Sequence, residues 1–232
     1  MMNREKLLLH EAIMLLVLKD KEGTIFSGVN YSYAIGGAVL AELMLNQRLS
    51  VEESRKKSYA IIQDPTPMGE PLIDECLDKV VQAKKRQQLA TWVSRFARVK
   101  SLKRRMAERL IEKGILHEEE DKVMLIFTRK IYPEFNPEPE RKLIQRLEQA
   151  IFTDKPDIDT RTVVLLSLVK NAEFLNNLFD KKQLKNRKHR IEQVINGELT
   201  GKATQAAIQA MRAAVLVTCI MPAVIVTTTV SH

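Results

Sequence analysis

Residues equipped for catalysis are few in this chain, and they are scattered. The four histidines, His10, His117, His189 and His232, fall in separate stretches with no HxxxH or HxH spacing. Such spacing would place two imidazoles on one face of a helix or strand, as a shared metal requires, so no metal site is expected. There is no GxSxG, phosphate-loop or GxGxxG pattern. The neighbouring carboxylates Asp74 and Glu75, and the acidic run Glu118, Glu119, Glu120 and Asp121, read as solvated helix and turn residues. A catalytic pair needs environments that drive its two pKa values apart, and nothing around these residues supplies that. His10 lies in an otherwise apolar stretch and reads as an interior or interfacial histidine. No catalytic residue or cofactor is assigned, and the chain reads as a non-enzyme.

Charge is where chemistry concentrates. Residues 84–113 contain eleven basic side chains and two acidic ones, Glu108 and Glu112, a local net charge of +9. The remaining residues hold 26 basic against 27 acidic side chains, so this one segment carries the whole net charge of +8. A basic face of this kind seeks phosphate-rich or otherwise anionic partners. On a helical wheel, Phe96, Val99, Leu102, Met106 and Leu110 form an apolar stripe. Lys100, Lys103 and Arg104 flank one margin of it, and Arg98, Arg105 and Arg109 the other. Such a helix docks its stripe on a core and turns its cations outward. One basic residue near an anionic membrane surface is worth about 1 kcal/mol, so four or five together can hold a protein there reversibly. Nucleic acid is the alternative ligand, because a helix, Gly114 and a hairpin in series look like a recognition helix followed by a wing. A scaffold whose charge is incidental is the third reading.

The elements that must position these cations are mainly helical. Residues 7–18 are apolar around most of a helix circumference, and Gly23 suits a left-handed exit before a short strand-like stretch at 24–26. A second helix is expected from a cap at Asn30 or Ser32 to about Asn46, with Gly36 and Gly37 marking close approach of another backbone. Residues 49–51 and 59–62 read as short strands, and 64–69 as a loop. Pro71 suits a helix start, and a 3-and-4 apolar pattern runs from Leu72 through the basic segment, with a break near Ala97 left open. After Gly114, residues 115–116 and 123–128 flank the acidic residues as a β-hairpin. Its second strand is apolar: Val123, Met124, Leu125, Ile126 and Phe127. Three further helices are expected over 140–152, 159–180 (capped by Asp159, with a possible break near Asn171) and 182–195.

Length and composition agree with one helical domain. The chain has 232 residues, 45% of them apolar and 28% charged, with eight glycines, eight prolines and 5% aromatics; these values exclude wholesale disorder and an all-β sandwich. The expected fold class is mainly α, a single helical domain with a buried helix core, amphipathic outer helices and a small β-hairpin. The domain is expected over residues 1–222, followed by an apolar tail at 223–232. Residues 213–230 carry no charge. That length only just suffices to cross a bilayer, and Pro222 interrupts it, so a buried helix and tail is the favoured reading over a membrane span. Cys76 and Cys219 lack redox or metal spacing and read as reduced, buried thiols. The N-terminus lacks a signal-peptide pattern, which points to a cytoplasmic protein.

The opening block, LLLHEAIMLLVLKDKEGTIF at 7–26 followed by AIGGAVLAELMLNQRLSVEE at 34–53, resembles the start of the Golgi phosphoprotein 3 family. LIDECL (72–77), LIEKGIL (110–116) with the hairpin after it, RKLIQRLEQAI (141–151) and FLNNLF (174–179) are similar to family segments in the same order. The likeness spans nearly the whole chain and rests on order and spacing, not on any one chemical signature.

This resemblance implies a peripheral membrane protein that binds anionic or phosphorylated lipid headgroups, in the eukaryotic family phosphatidylinositol 4-phosphate. The family's headgroup pocket uses a loop aromatic, a turn arginine and two arginines three apart on a later helix. Here the two arginines fall on Lys100 and Lys103, with Arg104 beside them. The turn arginine falls on Gly36, and the loop aromatic near Ser27, beside Phe26. Lysine offers a point charge where arginine offers a planar fork, so attraction to anionic membranes is retained while headgroup geometry is read less sharply. The resemblance also implies a homo-oligomer and membrane contact through the hairpin, Val123 to Phe127. The long basic arm of eukaryotic members is absent, as in a short, bacterial-type relative.

Overall fold

The computed structural model describes residues 7–19, 21–26, 31–54, 57–123, 127–200 and Ile208. Among them are ten helices and two antiparallel two-stranded hairpins, a mainly α single domain.

The core is built around two helices, α1 (Leu9–Val17) and α2 (Tyr31–Leu45). Every residue of α1 is buried, as is the stretch of α2 from Ala34 to Leu43. Neither helix has a polar face, which is why neither shows a simple amphipathic period and why each must be covered on several sides. α1 packs on α2, α5 (Leu102–Glu112), α6 (Glu138–Phe152) and α7 (Thr160–Asn171). α2 packs on α3 (Pro71–Val81), α4 (Leu89–Ala97) and α7. Gly36 makes the α2–α4 contact possible: a Cβ there would lie 2.5 Å from the Val93 carbonyl oxygen and 3.0 Å from the Ala97 nitrogen. The close backbone approach expected at this glycine pair is present.

Buried charge fastens the start of α1 to its neighbours. Glu42 accepts from the Leu9 amide at 2.9 Å and from both terminal nitrogens of Arg161 at 2.9 and 2.7 Å. Burial alone would raise the Glu42 pKa, but Arg161's hydrogen bonds and charge outweigh it and hold the carboxyl below its ordinary value. Glu11 reaches back to the Leu8 amide at 2.8 Å and receives Lys113 Nζ at 2.6 Å. Glu70 caps α3 through the Ile73 amide at 2.7 Å and lies 3.6 Å from His10 Nε2. His10 is fully buried, as its apolar surroundings suggested.

Several boundaries differ from expectation. The helical pattern from Leu72 onward is three helices: α3 ends at Val81, a break the periodicity did not announce, α4 occupies Leu89–Ala97 and ends where a break was left open, and α5 begins at Leu102 after a turn in which Ser101 adopts φ 56°. Phe96, Val99, Leu102, Met106 and Leu110 are nevertheless all buried. The turn, with Val99 N donating to Phe96 O at 3.2 Å, keeps their spacing in phase across the break. The strands at β1 (Leu49–Ser54) and β2 (Lys57–Ile62) pair as a first hairpin. In the second, the acidic residues form strand β3 (Glu119–Val123), paired with β4 (Phe127–Ile131), and are not the turn. Register explains the difference, because Glu120 faces Lys130 and Asp121 faces Arg129, an opposite-charge match that favours pairing. Met124, Leu125 and Ile126 lie outside the described residues, as do the side chains of Val123 and Phe127.

Nor are Asp74 and Glu75 merely solvated. Asp74 accepts from the Met68 and Gly69 amides at 2.6 and 2.9 Å, and Glu75 pairs with Lys79 and Arg105. The chain after α7 forms three short helices, α8 (Leu175–Leu178), α9 (Lys181–Asn186) and α10 (Lys188–Ile195). Asp159 caps α7, accepting from the Thr162 amide at 3.0 Å. Cys76 is a buried free thiol, whereas Cys219 and the alternatives for residues 213–230 lie outside the described residues. No described helix is long and apolar enough to cross a membrane.

Candidate functional site

α5 is amphipathic for a simple reason: Leu102, Met106, Ala107 and Leu110 recur at helical spacing and are buried, and the positions between them are charged. Its cations divide by partner. Arg105 is bound to Glu75 and lies 3.4 Å from the Pro71 carbonyl. Arg109 donates to Glu112 at 2.6 Å, with the buried Glu11 carboxylate 3.8 Å from its Nε. Lys113 reaches Glu11. These three cations at the inner margin anchor α5 to the core.

The outer margin is different. Lys100, in the turn before α5, and Arg104 are exposed, and Lys100 forms no ion pair among the described residues; Arg98, which caps the end of α4, is exposed and forms none either. Arg104 has only a loose partner, Glu108, at 3.6 Å on its own helix. Lys103 is half-buried, with Nζ 5.5 Å from the centre of the Tyr132 ring. Burial first, and then the charge of Arg129, hold its ammonium below the ordinary lysine pKa.

Tyr132 follows β4 directly, so the second hairpin delivers its own cations to the same face. Arg129 donates to Asp121 at 2.8 and 2.6 Å, and Lys130 pairs with Glu118 at 2.7 Å. The hydrogen bond to Glu118 raises the Lys130 pKa, while Arg104 is near enough to oppose it. Arg129 is thus within electrostatic reach of Lys103, and Arg104 of Lys130, so α5 and β4 bring cations near one another, with Lys100 at the adjoining turn. Arg129, Lys130 and Tyr132 were missed in the sequence because the hairpin was placed out of register. The alternation of EEED against TRK was the available signal.

The loop after α1 is stitched to this face. Gly23, at φ +56°, accepts from the Tyr132 amide at 3.0 Å, and a Cβ on it would meet Tyr132 and Pro133 backbone at 2.4 Å. The same loop carries Phe26. Its ring packs edge-on against Phe174, with centroids 5.3 Å apart, and Lys19 Nζ lies 5.9 Å above it. Phe26 thus serves packing, and Gly36 is buried against α4; the contacts found for both are structural. Ser27 lies outside the described residues.

A groove of about 710 Å³ at the α2–β1 junction is lined by Met44, Arg48 and Asp64, and by none of the cations of α5 or β4. Among the described residues no three His, Cys, Asp or Glu side chains are grouped to hold a metal ion.

A buried two-helix core is wrapped by amphipathic helices, with a basic helix and a hairpin at its surface. Residues 9–211 match the model of the Golgi phosphoprotein 3 (GPP34) family, and the chain belongs to that family. It is also similar to the vacuolar protein sorting-associated protein 74 of Eremothecium gossypii. The two are 30% identical over an alignment of 132 residues covering 49% of this chain. The chain spans about two fifths of that relative's length, 40%.

Proposed function

We propose that this protein is a non-enzymatic peripheral membrane protein of the cytoplasm that binds anionic or phosphorylated lipid headgroups through Lys100, Lys103 and Arg104, joined by Arg129 and Lys130. The observation that carries the reading is the division of the cations on α5 and the turn before it. Arg105, Arg109 and Lys113 are taken up by buried or neighbouring carboxylates, whereas Lys100 in the turn has no ion pair among the described residues and Arg104 only a loose one. Family membership supports the same reading, and by resemblance the favoured headgroup is phosphatidylinositol 4-phosphate. Phe26 and Gly36 then act by shaping the scaffold: Phe26 orders the loop joined to Tyr132, and Gly36 seats α4. Self-association through the second hairpin belongs to the same proposal.

A nucleic-acid groove fits the face less well. Arg105, Arg109 and Lys113 are turned to carboxylates and so are withdrawn from the backbone that a groove-binding helix must track on both sides. Liposome co-sedimentation tests the proposal. Binding to phosphatidylglycerol vesicles that falls with salt, and none to phosphatidylcholine vesicles, is the expected result. A phosphatidylinositol 4-phosphate arm at matched surface charge reads headgroup selectivity. Equal binding to neutral and anionic vesicles would refute the assignment.

A further inference from the structure

A second basic feature lies among the last described helices. A groove of about 500 Å³ runs between the end of α7 and the short helices α8, α9 and α10. Leu175, Leu184 and Ile191 form its floor and are each less than a tenth exposed. Lys181, Lys185 and Lys188 stand on its rim, exposed and without an ion pair among the described residues. Their spacing of four and three puts them along one side, and the break between α9 and α10 at Arg187 does not disturb it. Lys170 also lines the groove but is already paired with Glu192 at 2.6 Å.

We infer that this groove binds an acidic polypeptide segment carrying an aliphatic residue, the carboxylates meeting Lys181, Lys185 and Lys188 and the aliphatic side chain seating on Leu175, Leu184 and Ile191. Three observations select that ligand over a phosphorylated one or a membrane. The first amides of α9 are unavailable to a phosphate, because Asp180 accepts from Lys182 N and Gln183 N, both at 3.0 Å. No arginine lines the groove to offer a bidentate fork, and separate lysine point charges suit carboxylates spaced along a chain. The lysines stand on the rim of a concave groove over Leu175, Leu184 and Ile191, a shape that takes a single segment and does not match a flat bilayer. The lysines are distinct from those proposed for lipid: Lys100, Lys103 and Arg104 do not line this groove.

Fluorescence anisotropy with the full chain tests the inference, using a short dye-labelled peptide of glutamates around a central leucine. The peptide is expected to bind, and its glutamine counterpart is not. The Lys181→Glu, Lys185→Glu, Lys188→Glu variant should bind at least about tenfold more weakly, and a central serine should weaken binding too. Lys100→Glu, Lys103→Glu should leave the peptide affinity intact, which separates this site from the lipid face. Equal affinity for the glutamine or serine peptide overturns the inference, as does an unaffected triple variant. So does a triple variant that loses phosphatidylglycerol vesicles but keeps the peptide, since the groove would then be a membrane contact.

Discussion

Reversing Lys100 and Lys103 should separate membrane binding from stability. Lys100 is exposed and has no ion pair among the described residues, and Lys103 rests on Tyr132 beside Arg129. At about 1 kcal/mol per basic residue near an anionic surface, losing both lowers the affinity for phosphatidylglycerol vesicles by about 2 kcal/mol, or roughly 30-fold. The new glutamates add repulsion, so the Lys100→Glu, Lys103→Glu variant should weaken binding by at least that factor. The charge-matched comparison uses neutral replacements: Lys100→Gln, Lys103→Gln removes two positive charges from the face, and Arg105→Gln, Arg109→Gln removes two from the inner margin. Those arginines are engaged with Glu75, Glu112 and Glu11, so this variant should lose less than about threefold in vesicle affinity and should unfold at lower urea. Co-sedimentation across a lipid titration reads the first quantity. Trp92, the single tryptophan and 1% exposed, reports the second by fluorescence. Equal losses of affinity in the two glutamine variants would refute the reasoning, because net charge, not the face bearing it, would then govern attraction.

Two stability predictions follow from the core. Glu42→Gln leaves Arg161 facing an amide and should cost about 3 kcal/mol in urea denaturation. Because the folded pKa of Glu42 is lowered, its contribution is present above the ordinary carboxyl pKa and is lost as pH falls through the lower folded value; the gap between wild type and variant should shrink on acidification, and a gap unchanged from pH 7 to pH 3 contradicts the pairing. Gly36→Ala forces a methyl to within 2.5 Å of the Val93 carbonyl oxygen and should destabilise by about 1–3 kcal/mol, whereas Gly69→Ala, with nothing within 4 Å of its Cβ but φ +79°, would show the effect of backbone strain without crowding.

Much of the scaffold was legible because its determinants are local. α1 and α2 announce themselves through uninterrupted apolar sequence, Pro71 and Asp159 mark helix starts, and Gly36 signals a close contact that the structure contains. The turn at residues 98–101 was legible only as a break left open near Ala97. Val99 and Leu102 continue the stripe begun by Phe96, so the periodicity is the same whether the helix runs on or stops. Ser101 also adopts a left-handed conformation more often assigned to glycine. The distinction between inner and outer cations was equally hidden, since Arg105 and Lys103 look alike until Glu75 and Tyr132 are brought beside them.

The second hairpin shows how such hidden pairings bear on the proposed function. Read as a turn, Glu118 to Asp121 subtracts charge from the face without ordering it. With Glu119 to Asp121 in strand β3 and Glu118 just before it, the same residues hold Arg129 and Lys130 in place through Asp121 and Glu118. Each pair is exposed and contributes little to stability, but it fixes where a cation stands relative to Lys103 and Arg104. A bilayer or a headgroup approaching this face meets two tethered cations and several less constrained ones. The tethered cations give the face geometry and the others give it attraction. A Glu118→Gln, Asp121→Asn variant would raise net charge and loosen that geometry together. On the proposed reading it should strengthen binding to phosphatidylglycerol and weaken any preference for phosphatidylinositol 4-phosphate measured at equal surface charge. A gain in both would mean that the hairpin acidic residues only mask charge and do not order the site.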